Sequence, residues 1–99
     1  MFNKSKKYTV KELEQEVLIE LKSIIENSET TNFEKEKVSI AIDLIENGTP
    51  LANVLRRLQI TFVGKTQSPS LKSFNKKITQ YLRDSQILGT AFMGSATSL

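Results

Sequence analysis

The stretch ENGTPLANVLRRL, residues 46–58, contains the clearest helix boundary in the chain. Gly48 is suited to the left-handed conformation that commonly follows a helix, and Pro50 fits the first helical turn, where its missing N–H is not needed. We therefore predict that one helix ends near Asn47 and that the next begins at Pro50, with Thr49 as its N-cap. Two helices joined by so short a turn run antiparallel, which favours a helical bundle.

Apolar residues recur at helical spacing on both sides of this turn. The pattern predicts four helices, over residues 9–27, 31–47, 50–64 and 69–88, followed by a tail over 89–99. Each helix carries an apolar stripe that must be buried, and the short loops make consecutive helices antiparallel. The expected fold is therefore all-α: a single domain that forms an antiparallel four-helix bundle.

Capping signals mark the first two helix starts. Thr9 and Glu12 match the capping box, in which a hydroxyl and a carboxylate satisfy free backbone N–H groups. Thr31 and Glu34 repeat this spacing at the second helix. For the fourth helix the sequence leaves two candidate caps, which are Ser68 and Ser70.

The expected core follows from the same spacing. Its members are Val10, Leu13, Val17, Leu21 and Ile24; Val38, Ala41, Ile42 and Ile45; Leu51, Val54 or Leu55, Leu58 and Phe62; and Leu71, Phe74, Ile78, Tyr81, Leu82 and Leu88. The second helix has a further apolar set, Phe33, Ile40 and Leu44, on another side. We favour burial of this set between neighbouring helices over an exposed dimer contact, and we expect a monomer.

The composition argues against catalysis. The 99 residues include no cysteine, histidine or tryptophan, which excludes disulfides and removes the commonest general base and metal ligand. The run from Val63 to Thr66 ends like a phosphate-binding loop but lacks the required earlier glycine. Without a signal peptide or a membrane-spanning stretch, we expect a cytoplasmic binding protein with no enzyme activity, cofactor or metal, and association with the inner membrane face stays open.

Charge is divided unevenly along the chain. Residues 1–48 contain seven lysines and ten acidic residues, a net charge of −3, whereas residues 49–99 contain seven basic residues and one aspartate, a net charge of +6. A basic half of this kind suits nucleic acid, anionic lipid headgroups or an acidic protein face. Alternatively, the two halves attract each other across the bundle.

The turn at Gly48 between two helices also resembles a helix-turn-helix, with Asn53, Arg56, Arg57 and Ile60 on the outer face of the third helix. This alternative makes the protein a small helical nucleic-acid-binding or regulatory protein. We do not favour it, because ten of the eleven acidic residues precede the turn and the overall basic excess is small. No nucleic-acid partner is expected.

The second half of the chain resembles a known family. The run from Pro50 to Leu58, with Phe62, Phe74, Leu82 and Gly89-Thr90, looks like the enterocin A type of immunity proteins, which protect cells from pediocin-like (class IIa) bacteriocins. The likeness covers about half of the chain. The first half agrees only in size, helical pattern and lack of catalytic residues.

The resemblance implies a left-turning antiparallel four-helix bundle that acts inside the cell. Such proteins are expected to recognise the mannose phosphotransferase permease when bacteriocin has engaged it, and to block the lethal pore. In the family, the C-terminal half sets which bacteriocins are resisted. This chain departs from the pattern in its short, uncharged tail, which puts the target specificity in doubt.

The expected recognition residues lie in the second half of the chain. They are the basic face Lys72, Lys76 and Arg83, the tail residues Phe92 and Met93, and a second basic patch, Arg56 and Arg57. Two interpretations of the tail stay open, because apolar side chains left in water need a partner. The tail either docks on the bundle, for example on the second helix, or is held loosely and senses the receptor.

Overall fold

Four helices make up the computed structural model, which describes residues 9–87 and 98–99, and only the backbone of 85–87. The helices are α1 (Val10–Glu26), α2 (Asn32–Glu46), α3 (Leu51–Phe62) and α4 (Pro69–Ile87). Each packs against the next in the chain, and α4 also packs against α1, so the four form a closed ring of neighbours. The antiparallel four-helix bundle predicted from the sequence is confirmed. The predicted core position Leu88 lies outside the described residues.

The core contains almost every predicted apolar position. The buried hydrophobic residues are Leu13, Val17, Leu18, Leu21, Ile24, Val38, Ala41, Ile42, Ile45, Leu51, Ala52, Val54, Leu55, Leu58, Phe62, Leu71, Phe74, Ile78 and Tyr81. Val54 and Leu55 are both buried, although the sequence offered them as alternatives. Since α3 packs against α2 on one side and α4 on the other, its buried face is wider than a single stripe.

The second apolar set of α2 divides between the interior and the surface. Leu44 packs against the core, as expected for a helix that lies between α1 and α3. Ile40 is half-buried, whereas Phe33 is 45% exposed and meets Phe62 edge-on at a centroid distance of 6.1 Å. The predicted burial of this set is therefore only partial, and exposure is greatest at Phe33, near the start of the helix.

The turn between α2 and α3 closes as the sequence predicts. Gly48 has a φ of +96°, and its N–H donates to the Ile45 carbonyl at 3.1 Å. The next N–H, from Thr49, donates to the Leu44 carbonyl at 2.9 Å. This pair of bonds is a Schellman motif, which satisfies carbonyl groups at the end of α2.

The start of α3 differs from the prediction. Pro50, rather than Thr49, occupies the N-cap position, and no side chain caps this helix. The Pro50 carbonyl accepts the N–H groups of Asn53 at 3.1 Å and Val54 at 3.2 Å. The Thr49 assignment is wrong because the Thr49 backbone is already committed to closing α2.

Both predicted capping boxes are present, at Thr9 with Glu12 and at Thr31 with Glu34. Glu34 also has a second role. One carboxylate oxygen accepts the Thr31 N–H at 2.9 Å, and the other accepts the Ser68 N–H at 2.9 Å. Glu34 is 3% exposed, so one buried carboxylate joins the N-termini of α2 and α4, which lie on a diagonal of the bundle.

Ser68 occupies the N-cap position of α4, since its carbonyl accepts the Lys72 N–H at 2.8 Å. Its hydroxyl lies beside the Glu34 carboxylate without reaching hydrogen-bond geometry, and it has no other partner in the described part of the chain. Ser70 instead lies 3.4 Å, oxygen to oxygen, from the Thr30 hydroxyl. Of the two candidate caps, Ser68 therefore holds the N-cap position and Ser70 lies in the first turn of α4, while Glu34 of α2 accepts the Ser68 backbone N–H.

The ionised form of Glu34 is the one that the fold stabilises. Burial raises the pKa of this carboxyl, but hydrogen bonds from the backbone N–H groups of Thr31 and Ser68 hold the pKa below its ordinary value. The positive ends of two helix dipoles act in the same direction. Glu34 therefore adds stability that is present above about pH 4.5, the ordinary value, and is lost as the pH falls through the lower folded pKa.

We predict that Glu34→Gln lowers the free energy of unfolding at pH 7 by about 2 kcal/mol, because the amide group places a donor against a backbone N–H. Urea denaturation at several pH values measures the effect. The difference from the natural chain should shrink as the pH falls below about 4.5. Glu36→Gln, at an exposed position of α2, is the control. A difference that does not change with pH would contradict this role.

We also predict that Gly48→Ala lowers the free energy of unfolding by about 1 kcal/mol, since a Cβ is strained at positive φ even where space is open. Gly48→Asn should cost less, because asparagine tolerates this conformation better. Thermal unfolding followed by circular dichroism measures both. Ser39→Ala, at an exposed position of α2, is the control and should not destabilise.

Candidate functional site

One end of the bundle is tied together by polar contacts. Here α1 and α3 end and α2 and α4 begin, and we call it the Glu34 end. Thr30, which is 5% exposed, donates its hydroxyl to the Ile24 carbonyl at 2.6 Å and lies close to Ser70 of α4. Together with Glu34, these contacts join α1, α2 and α4 at positions far apart in the chain.

The same end also exposes apolar side chains. The large hydrophobic residues exposed in the described part of the chain are Ile19, Phe33, Ile60 and Val63. The last three lie at the Glu34 end, at 45%, 40% and 75% exposure, and we call them the apolar rim. Clustered exposed apolar side chains are a common mark of a contact surface.

An open groove of about 430 Å³ lies on one side of the rim. Its lining residues are Arg56, Gln59, Ile60, Phe62 and Val63 from the end of α3, Gln67 from the following loop, and Asn75 from α4. The Arg56 guanidinium donates to the Gln59 side chain at 3.2 Å. The groove therefore combines an apolar wall with a cation.

Asn75 and Gln67 form the polar side of this open groove. The Asn75 side-chain amide donates to the Gln67 side-chain oxygen, and the Gln67 amide donates to the Phe62 carbonyl at 3.3 Å. Asn75 Oδ1 is buried and accepts no hydrogen bond within the described part of the chain.

A second groove, of about 380 Å³, lies on the other side of Ile60, and Leu99 forms part of its wall. The Leu99 N–H donates to the Thr61 hydroxyl at 2.8 Å, and Lys37 Nζ donates to the Leu99 carbonyl oxygen at 2.9 Å. The Leu99 side chain packs against the core. We call this the Leu99 groove, and Phe33 and Lys65 complete its lining.

Leu99 therefore lies on α2 and α3, as the docked interpretation of the tail expects. Lys37 also lies over the Phe33 ring, with its Nζ 5.5 Å from the ring centroid. The proposed tail residues Phe92 and Met93 lie outside the described residues. Their role as recognition residues stays a prediction.

The predicted basic residues do not form one cluster. Arg56 lines the open groove, while Arg57 is half-buried and its carbonyl accepts the Thr61 hydroxyl at 2.7 Å. Lys72 borders a smaller pocket near the open groove, and the two share Gln67 in their linings. Arg83 is exposed on α4 but lies about 16 Å from Lys72 along the helix axis.

Two residues of the basic second half contact one acidic residue of the first half. Lys77 Nζ lies 2.6 Å from Glu20 of α1, and the Tyr81 hydroxyl donates to the same carboxylate at 2.5 Å. These contacts hold α4 against α1. The exposed side chains of Lys72 and Lys76 form no ion pair within residues 9–87 and 98–99. No acidic side chain in the described part of the chain therefore neutralises these two lysines of the basic face.

Sequence patterns missed most of the groove residues. Gln67 and Asn75 carry no motif, and Val63 belongs only to the incomplete phosphate-binding pattern. The three residues meet only because α3, the loop and α4 fold together. One signal was present: Ile60 and Val63 are β-branched residues at a weak helix end, with Ile60 outside the apolar stripe. Lys37 and Thr61 gave no signal for the Leu99 contact, because their partner is distant in the chain.

Within residues 9–87 and 98–99, no cluster of three or more histidine, cysteine, aspartate or glutamate side chains is arranged to hold a metal ion. None of the helices described is both long enough and apolar enough to cross a membrane. Comparisons with protein-family models, curated proteins and solved structures found no match to this chain.

We predict that Leu99→Ala and Thr61→Val each lower the free energy of unfolding by about 1 kcal/mol, because the first removes apolar burial and the second removes the acceptor for the Leu99 N–H. A double-mutant cycle in urea should give a coupling of at least about 0.5 kcal/mol. Ser98→Ala, at an exposed position, is the control. A Leu99→Ala variant as stable as the natural chain would contradict docking of the Leu99 side chain.

Proposed function

We propose that this chain is a bacteriocin immunity protein. It is a cytoplasmic, non-enzymatic binder that protects its cell from pediocin-like bacteriocins. It does so by recognising the mannose phosphotransferase permease that bacteriocin has engaged, and it blocks the lethal pore.

One observation carries this proposal: an apolar rim, an open groove and exposed cations gather at the Glu34 end of a small helical bundle. Such a surface suits recognition of another protein, where apolar anchors supply affinity and charges supply orientation. The resemblance of residues 50–90 to the enterocin A type of immunity proteins supports the permease as the partner that this surface recognises.

The charges favour a site of action beside the membrane. Lys72 and Lys76 project from α4 without ion pairs in the described part of the chain, and Arg56 adds a cation at the groove. Basic surfaces are attracted to the anionic lipids of the inner leaflet and to acidic receptor surfaces. Either attraction would concentrate the protein near a permease.

We predict that expressing this protein in a bacteriocin-sensitive strain raises the minimum inhibitory concentration of at least one pediocin-like peptide. Deleting residues 89–99 should remove or redirect that protection, because it removes the proposed contacts of Phe92 and Met93. A panel of pediocin-like peptides, tested on cells that express equal amounts of each variant, measures both effects. Ile19→Ser, an exposed aliphatic change on α1, is the matched control and should protect fully.

A panel without any protection would refute the immunity proposal. Fluorescence anisotropy with labelled duplex DNA tests the nucleic-acid alternative directly. Salt-sensitive DNA binding that weakens in the Arg56→Gln, Arg57→Gln double variant would support the alternative. Capture of permease subunits by the tagged protein only from bacteriocin-treated cells would support the proposal.

A further inference from the structure

The two grooves at the Glu34 end share one wall, because Ile60 lines both. Leu99 itself forms part of the wall of the Leu99 groove. The open groove, of about 430 Å³, lies on the other side of Ile60. The contacts of Leu99 therefore show what kind of group this end of the bundle holds.

Leu99 is held by three kinds of contact. Its aliphatic side chain packs on the core, its N–H donates to Thr61, and its carbonyl oxygen accepts from the cation of Lys37. An apolar side chain, a main-chain donor and a main-chain acceptor are all satisfied together. This is the recognition pattern of an extended peptide residue.

The open groove offers two of these three kinds of contact. Ile60, Phe62 and Val63 supply the apolar wall, and Arg56 is a cation. The volume lies in the range of about 300–1,000 Å³ that is usual for ligand pockets. A leucine-sized side chain with its main chain fits this chemistry.

The charged residues around the open groove indicate which charge its occupant carries. No acidic residue lines the open groove, and Lys72 borders the adjoining pocket. The one acidic residue of 49–99 is Asp84, about 14 Å from Asn75 along α4, where its carboxylate accepts from Gln80 at 2.9 Å. Arg56 is the one charged residue among those that line the open groove, so a segment that carries carboxylates beside its apolar anchor meets a cation there.

We propose that the open groove binds an acidic peptide segment of a partner protein, with a leucine-like side chain against Ile60 and Val63 and a carboxylate on Arg56. The proposal rests on the proposed function and deepens it. It assigns an acidic, leucine-bearing segment at the cytoplasmic face of the receptor complex as the element that is recognised.

Fluorescence anisotropy with the full chain and synthetic fluorescein-labelled peptides tests this proposal. One peptide carries a leucine flanked by glutamates, and matched peptides replace the glutamates with glutamines or lysines, or the leucine with serine. We expect saturable binding of the leucine–glutamate peptide, weaker binding of the glutamine peptide, and no binding of the lysine or serine peptides.

Two variants probe the groove itself. Val63→Ser and Arg56→Gln should each weaken binding by about tenfold, since each removes a central contact. Both positions are exposed, so both variants should fold, and their thermal unfolding midpoints check this. The matched controls are Ile19→Ser and Lys11→Gln, at exposed positions of α1, and both should bind like the natural chain.

Three outcomes would overturn the proposal. They are no saturable binding of the leucine–glutamate peptide, equal binding of the lysine peptide, and binding that Val63→Ser and Arg56→Gln leave unchanged. Binding that strengthens in Leu99→Ala would also overturn it, since the peptide would then occupy the Leu99 groove. Cell protection without peptide binding would refute this site but not the immunity function, whereas peptide binding without protection would refute the function but not the site.

Discussion

The Glu34 carboxylate is the contact on which the geometry of one whole end of the bundle depends. It is the third residue of α2, where a capping glutamate is expected, and its second oxygen reaches the start of α4 across the bundle diagonal. A carboxylate buried without a basic partner is costly unless hydrogen bonds satisfy it. Here two helix N-termini do so, which makes α2 and α4 mutually dependent.

This dependence explains how so small a protein can expose apolar groups in an ordered arrangement. Phe33 follows the N-cap of α2 by two positions, and the open groove includes Gln67, the residue before Ser68. The rim and the groove are thus attached directly to the two segments that Glu34 holds together. A recognition surface gains affinity when its parts are positioned before the partner arrives.

The polar side chains of α4 form two groups, one that holds the helix against α1 and one that is exposed. Lys77 and Tyr81 both contact Glu20, so this side of α4 holds the helix against α1. Lys72 and Lys76 are exposed and form no ion pair within residues 9–87 and 98–99. The ion pair between Lys77 and Glu20 links the basic second half of the chain to the acidic first half.

The amino-acid sequence determined the features that depend on near neighbours in the chain. The four helices, both capping boxes and the turn at Gly48 follow from patterns within a few residues, because helix formation and capping are local. Tertiary structure alone decided the second bond of Glu34 and the burial of both Val54 and Leu55. It also decided the candidate site, where Leu99 meets Lys37 and Thr61, and Asn75 joins Val63. These groups are separated by many residues, so no local pattern could place them together, and only the packing of the helices brings them into contact.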